Sequence, residues 1–556
     1  MEKEFFKSEE LQKLYSAGNP ESAYNTPVQK KVVFKEYDTS YSYIFPASTD
    51  DYISKTHIAR FVSTVIDKVG IDFLIDKYKG GGASAYHPAM LLKVWILGCI
   101  YRIYSCRKLE LALWEQLPFI WISGNQRPDF RTLNNFRLLL EEDIKEVFRK
   151  VIRICIDMGI IDCEEIFIDH TKIEANANRH KITWRKTVEK QLGKYEIEID
   201  QLFKYINELN LQEEKESAVK PEVREWNEED LNKAIDIVSN QIKEKQLEKE
   251  EGKEIKKSIR RAKIVLEKKE QYEEKLKILG ERNSYSNSDH DATAMMQKDK
   301  VMIKPGYNEG IAATKGFVVN YEISQKSSDN SNFIEIVEGI KENTQVVPEV
   351  IHTDGAYGNE ENMSYLEEEG IGNYLKYGTY QREKSKKWHQ EKVRREDFIY
   401  EQENDRYRCV NGKYLCFTEE KEITRSSGYK KRVRQYKALE QDCSRCPFKG
   451  SCTKGKSRGI EISEKYERLK NEARNNLDSE RGKELRRRRG FEVETVFGDR
   501  KENNQRRRFL LRGKAKVLIE SGIYYTSHNL RKLYRIILRM IIEGFRNNQM
   551  AIDYIG

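Results

Sequence analysis

Three acidic residues stand where predicted elements end or turn. Asp169 closes the short apolar run at 165–169 (EIFID), which has the pattern of a buried strand. Asp354 follows a second predicted strand at 346–352, and Gly355 and Gly358 behind it let the backbone turn sharply. Glu494 lies on a predicted helix whose face continues through Phe497, Gly498 and Lys501, at steps of three, four and seven. Carboxylates from two neighbouring strand ends and a facing helix are the oxygen ligands that two hard divalent cations take, and such a pair cleaves phosphodiesters. Each acid also has a plainer reading. Asp169 and Asp354 could cap turns, and Glu494 could face water, with Glu492 a close competitor. Their joint order raises them: strand acid, hairpin, helix, strand acid, then helix acid beside a basic run.

That basic run is concentrated. Residues 481–516 hold 14 Lys or Arg against 5 Asp or Glu, an excess of nine that equals the net charge of the whole chain, +9. A solvated helix face mixes its signs more evenly, so the cluster points to a polyanion surface. Arg488, Arg489, Arg500, Lys501, Arg506, Arg507, Arg508, Arg512 and Lys514 are its candidate DNA-contact residues. Arginines near a phosphate position the strand without reading its bases.

Five of the nine cysteines crowd into 409–452. Cys443-x2-Cys446-x5-Cys452, with Cys409 upstream, suits a four-thiolate structural zinc site, and Cys416 could replace Cys409. The alternative is a set of reduced thiols in a loop-rich segment. Cys99, Cys106, Cys155 and Cys163 lie among apolar helical residues and are expected to pack in cores.

The elements around these residues follow from periodicity. Residues 1–50 read as an arm and 51–160 as a helical domain, in which Pro88 starts one helix and Asp129 precedes another. That domain could bind DNA ends or serve dimerisation. The first part of an α/β core spans 161–184. Val188, Leu192, Tyr195, Ile199, Leu202, Ile206 and Leu209 alternate steps of four and three. Leu231 to Ile242 and Ile255 to Leu266 resume those steps after Pro221, which predicts a coiled-coil hairpin inserted over 185–282. Strands are expected at 301–304, 310–314 and 317–323, the last two joined at Lys315-Gly316, with a helix over 332–343. The core resumes over 283–400, a cysteine-rich insertion follows over 401–460, and 461–556 adds the last core part and basic helices.

Several blocks resemble one family in order. FIDHTKIEANANRHKITWRK, IHTDGAYGNEEN and VETVFGDRKENNQRRRFLLRGKAKVLIE are similar to the three catalytic blocks of DDE insertion-sequence transposases. The subgroup most resembled is IS eleven-eighty-two, whose N-terminal helical region is similar to YHPAMLLKVWILGCIYRIYSCRKLE and RPDFRTLNNFR. The resemblance runs from about residue 45 to 545. It implies an α/β fold with large helical parts around an RNase H-like mixed sheet, catalytic acids Asp169, Asp354 and Glu494, and Mg²⁺ or Mn²⁺ as cofactor. It also implies strand cleavage at transposon ends and transfer into target DNA, with terminal inverted repeats as partner and at least a homodimer to bring two ends together. The chain departs from related transposases, which carry a Tyr and an Arg shortly before the glutamate and a Lys six places after it: here Arg488 and Arg489 precede Glu494 with no adjacent Tyr, Arg500 is sixth and Lys501 seventh. An RNase H-like nuclease without strand joining, or a non-catalytic DNA-binding scaffold, are the alternative functions.

Composition agrees with a soluble DNA-handling protein. Charged residues make up 34% of 556 and hydrophobic ones 38%. The most apolar run, near 90–104, is interrupted by Lys93 and Arg102, so no membrane span is expected. The N-terminus lacks the order of a secretion signal, and a cytoplasmic, nucleoid-associated location is expected.

Overall fold

The run at 165–169 folds as a strand that continues beyond its acid: β1 spans Glu165–Glu174. The fold is taken from a computed structural model, which describes residues 48–78, 84–141, 143–213, 251–297, 302–390 and 393–547. Residues 1–52 and 53–556 are separate compact units. Of the first, only a turn at its end is described, so the arm expected over 1–50 lies almost wholly outside the described residues.

In the second unit β1 joins β2 (Thr293–Met296), β3 (Ile303–Thr314), β4 (Phe317–Ser324), β5 (Val350–Thr353) and β6 (Gly372–Leu375). The order is β4-β3-β1-β5-β6, with β2 also on β3. β1 pairs antiparallel with β3 and parallel with β5, and β5 pairs parallel with β6. The result is a mixed α/β fold compatible with an RNase H-like core. Lys315 and Gly316, at φ 49° and 69°, make the two-residue turn between β3 and β4. The strands expected at 301–304 and 310–314 are one strand, because Pro305-Gly306 is accommodated inside β3. Gly306 is needed there: a Cβ would lie 2.8 Å from the Ile173 carbonyl oxygen of β1.

Helices come before the sheet and around it. α1 (Ile58–Val69), α2 (Pro88–Ile100), α3 (Cys106–Glu115), α4 (Phe130–Leu139) and α5 (Ile144–Asp157) form the N-terminal helical part. His87 Nδ1 accepts from the Ala89 N–H at 3.2 Å and caps α2, whose first residue is the expected Pro88. α6 (Arg185–Glu213) and α7 (Glu251–Leu279) lie against each other, burying Val188, Leu192, Ile199, Ile259, Ala262 and Leu266. These are the expected seam positions, while Pro221 and those from Leu231 to Ile242 lie outside the described residues.

α8 (Phe333–Thr344), α9 (Glu360–Glu368), α10 (Glu464–Asp478) and α11 (Glu480–Arg489) surround the sheet and join its core through Ile336, Leu366, Leu469 and Leu485. α12 (Lys514–Asn547) serves two cores at once. Ile519, Ile523 and Leu530 complete the helical core, and Tyr524, Tyr525 and Leu533 complete the sheet's core. Buried Asn529 adds a strand-like contact, accepting from Val318 N at 2.9 Å and donating to its carbonyl at 2.8 Å. Among the described residues no helix is long and apolar enough to cross a membrane.

The polar stretch before residue 460 is more regular than its sequence suggests. β7 (Ile399–Glu401), β8 (Arg406–Arg408), β9 (Tyr414–Thr424), β10 (Lys430–Ala438) and β11 (Gly459–Ile462) form a second, antiparallel sheet in the order β11-β10-β9-β8-β7. Most of β9 is exposed, so apolar alternation is missing from its sequence.

Candidate active site

Register places the first two acids side by side. Phe167 of β1 is opposite His352 of β5 in a parallel pair. Asp169, within β1, and Asp354, just past the end of β5, each lie two residues beyond that pair, on neighbouring chain segments about 4.8 Å apart. Asp169 is buried. Its Oδ1 accepts from the His170 N–H at 2.8 Å. Asp354 Oδ1 accepts from the Ala356 N–H at 3.0 Å, so this residue also has the turn role that its sequence context suggests. Gly358, rather than Gly355, is the glycine this loop requires. A Cβ at 358 would lie 2.3 Å from the Lys376 carbonyl oxygen, whereas at 355 the nearest neighbour, the Tyr377 carbonyl oxygen, is 3.9 Å away.

The third acid arrives from an irregular helix. Beyond α11 the chain continues as a π-helical segment, Gly490–Glu494, one turn of α-helix, Thr495–Gly498, and a second π segment, Asp499–Asn503. Such wider turns are frequent at functional sites. Glu494 is exposed toward the cleft, while Glu492 points the other way. Glu492 is buried, accepting from the Gly316 N–H of the β3–β4 turn at 2.6 Å and from Arg488 at 3.3 Å.

One guanidinium meets all three acids. Arg489 Nη2 lies 2.9 Å from Asp169 Oδ2 and 4.0 Å from Asp354 Oδ2, and its Nη1 lies 3.3 Å from Glu494 Oε1. The cleft has a volume of about 470 Å³ and also includes Thr171, Asp329, Phe497, Gly498, Lys501 and Glu502. Asp329, which sequence reasoning missed, sits in the polar turn before α8 and accepts from Asn308 Nδ2 at 2.7 Å. Lys501 donates to Thr171 Oγ1 at 2.5 Å and to the Lys172 carbonyl at 3.1 Å. Lys501, the seventh residue after Glu494, lines the same cleft, whereas Arg500, the sixth, is buried.

Neutral groups support the acids from beneath. His170 hydrogen-bonds Tyr357 Oη through Nδ1 and Asn332 Oδ1 through Nε2, the latter at 2.8 Å. Burial holds its pKa down to about 4. His352 is lowered to about 3 by burial and then by Lys376, Arg489 and Arg486. Burial, with Asp169, Asp329 and Asp354 nearby, pushes the Tyr357 phenol well above its usual range. All three are therefore uncharged near pH 7.

The structure divides the basic run expected to contact DNA. Arg500 is fully buried, 2.7 Å from Glu309, with its guanidinium carbon 5.1–5.4 Å from the ring centres of Phe509, Tyr524 and Tyr525. Arg506 is buried against Glu520 and lies over the Tyr104 ring. Neither can reach a phosphate in this arrangement, and the expectation is corrected for both. Arg488 turns away from the cleft to Glu165 and Glu492, over Phe167. Arg508 donates to Ala175 O, and Arg512 to Asn176 O, so both hold the loop after β1. Arg507 and Lys514 are exposed.

Neither metal expectation has a ready-made ligand set. Among the described residues no three or more His, Cys, Asp or Glu are grouped so as to hold an ion. At the three acids, Arg489 takes the central place. The thiols of Cys409, Cys443 and Cys446 are close enough to help raise the Cys452 pKa, after burial itself. Cys416 is exposed on β9. The zinc reading gains no support beyond this proximity.

Comparison with known proteins bears on the segment of the third acid and on the N-terminal helices. Residues 408–534 match the family model of the transposase DDE domain, a span that includes Glu494. Residues 47–138 match a second, the transposase domain DUF772. No curated protein and no solved structure matches the chain. Two transposase domains matched in separate parts of one chain indicate a transposase, and both are consistent with the DDE-type insertion-sequence family.

Proposed function

We propose that this transposase cleaves DNA strands at the ends of its element and joins them to target DNA, using Asp169, Asp354 and Glu494 to hold two Mg²⁺ or Mn²⁺ ions. The observation that carries the reading is the convergence of three acids, one within β1, one at the end of the adjacent β5 and one from a facing helix, on one guanidinium in an open cleft. The donor set fits such ions, since all three offer hard carboxylate oxygens, and a positive charge already sits among them. Bound there, the ions would lower the pKa of an attacking water or 3′-hydroxyl and stabilise the leaving oxygen.

The chain's own residues supply position and charge. Lys501, held by Thr171 and the Lys172 carbonyl, presents a cation at the cleft for a DNA phosphate. His170, Tyr357 and Asn332 fix the strand residue beside Asp169 without adding charge. Arg489 offsets the mutual repulsion of the acids.

Because Arg489 and a divalent cation would compete for the same oxygens, Arg489→Gln should bind Mn²⁺ more tightly in the absence of DNA. Loss of one nearby like charge is worth about 1 kcal/mol even in water, so roughly fivefold tighter binding is expected. Electron paramagnetic resonance titration of free Mn²⁺ measures it, and unchanged affinity would contradict the competition.

Duplexes carrying the sequences that flank the gene provide the central test. Mg²⁺-dependent cutting, followed by joining of pre-cleaved 3′ ends to a second duplex, is the expected result. Cutting without joining would indicate an RNase H-like nuclease instead. Binding with neither reaction would reject the catalytic assignment. Synapsis of two ends calls for a homodimer or larger assembly on the inverted repeats.

A further inference from the structure

The last turn of β1 leads into a loop that the basic segment builds. Glu174 N donates to Arg507 O at 3.1 Å, and Phe509 N donates to Glu174 O at 2.9 Å, so 507–509 run along the end of the strand. Arg508 Nε then donates to Ala175 O at 3.1 Å, and its Nη2 reaches Asn176 Oδ1 and Ala177 O, each at 3.3 Å. Arg512 Nε donates to Asn176 O at 2.7 Å, and Asn176 Nδ2 returns a bond to Leu510 O at 2.7 Å. Two arginines are thus engaged in shaping a loop.

The loop they shape carries its own cations. Arg179, His180 and Lys181 follow consecutively and are all exposed. Arg179 Nε contacts His180 Nε2 at 3.2 Å, and among the described residues no carboxylate pairs with Arg179 or Lys181. The acids nearby are engaged elsewhere. Glu174 pairs with Lys304 at 3.0 Å, while Asp289 accepts from Gly513 N and Asp291 from Lys514 N. At about 3.3 Å per residue, the five steps from Asp169 to Glu174 separate the loop's root from the cleft by about 17 Å. A duplex seated in the cleft spans that distance in roughly five nucleotides.

We propose that loop 176–181, stapled by Arg508 and Arg512, is a second DNA-contact surface in which Arg179 and Lys181 grip backbone phosphates beyond the cleft. This rests on the DNA reading above. The contact positions the duplex without reading its sequence, because cations on phosphates carry no base information.

The test is a salt titration of binding by fluorescence anisotropy, without divalent metal, on a random-sequence duplex of about 30 base pairs, which exceeds the span required. Each phosphate contact contributes about 0.9 to the slope of log affinity against log salt. The double variant Arg179→Ala/Lys181→Ala should lower that slope by about 1.8, while Lys253→Ala/Lys257→Ala on α7 leaves it unchanged. Arg508→Ala should weaken binding as well, because the loop loses its staple. A wild-type slope retained by the Arg179/Lys181 variant would overturn this proposal and leave the DNA reading standing. Absence of salt-dependent binding by the wild type would overturn both.

Discussion

Asp169→Asn should reduce Mg²⁺-dependent strand cleavage by roughly a thousandfold or more while leaving metal-free DNA binding close to wild type. The residue is the buried member of the three acids, and Asn keeps its shape while removing its charge. Metal-ion stabilisation of a phosphoryl transition state is worth several kcal/mol, and about 4 kcal/mol corresponds to a thousandfold in rate. Glu494→Gln should behave alike. Glu492→Gln is the informative control, since its carboxylate binds the β3–β4 turn outside the cleft. It should lower thermal stability and retain cleavage. Single-turnover assays beside anisotropy measurements separate these outcomes. Near-normal cleavage by Asp169→Asn, or loss of cleavage in a well-folded Glu492→Gln protein, would remove the assignment of the acids.

Arg500→Met should be the most destabilising single change in the basic segment. Arg500 and Glu309 are both fully buried and 2.7 Å apart, and Ser521 also donates to Glu309 at 2.5 Å. Removing one partner of a buried ion pair leaves an uncompensated charge and costs about 3–5 kcal/mol. Chemical denaturation should show that loss, and Arg500→Met/Glu309→Gln should recover part of it by removing the stranded charge. A surface arginine would cost almost nothing, so an unchanged denaturation midpoint would contradict the buried placement.

The strands that carry the two acids were legible because their signals are local, although β1 runs five residues past Asp169 instead of ending there. Each acid follows an apolar run of strand length, Asp354 with turn glycines at 355 and 358 behind it, and Lys315-Gly316 marks the hairpin between them. Orientation was far less legible. Arg488, Arg500 and Arg506 belong to the same charge run as Arg507 and Lys514, yet three-dimensional packing turns them toward Glu165, Glu309 and Glu520. Composition counts charges without saying which carboxylate each will face. The π-helical segments around Glu494 add to this, because wider turns shift each following side chain from its ordinary helical bearing. Arg489 among the acids could be found only once two strands distant in sequence and α11 met. The second sheet escaped notice for another reason: a strand exposed on most of its length has no apolar alternation to betray it.

The double service of α12 has a consequence for how the chain is made. The N-terminal helices end at Asp157, and the helix that supplies Ile519, Ile523 and Leu530 to their core begins at Lys514, about 360 residues later. At a synthesis rate of about 5–20 residues per second, that interval lasts tens of seconds. Throughout it the early helices lack part of their core and present the uncovered apolar surface to the cell. The sheet's core waits for the same helix, through Tyr524, Tyr525 and Leu533. Both cores therefore wait on the same late helix, and a chain truncated before α12 completes neither.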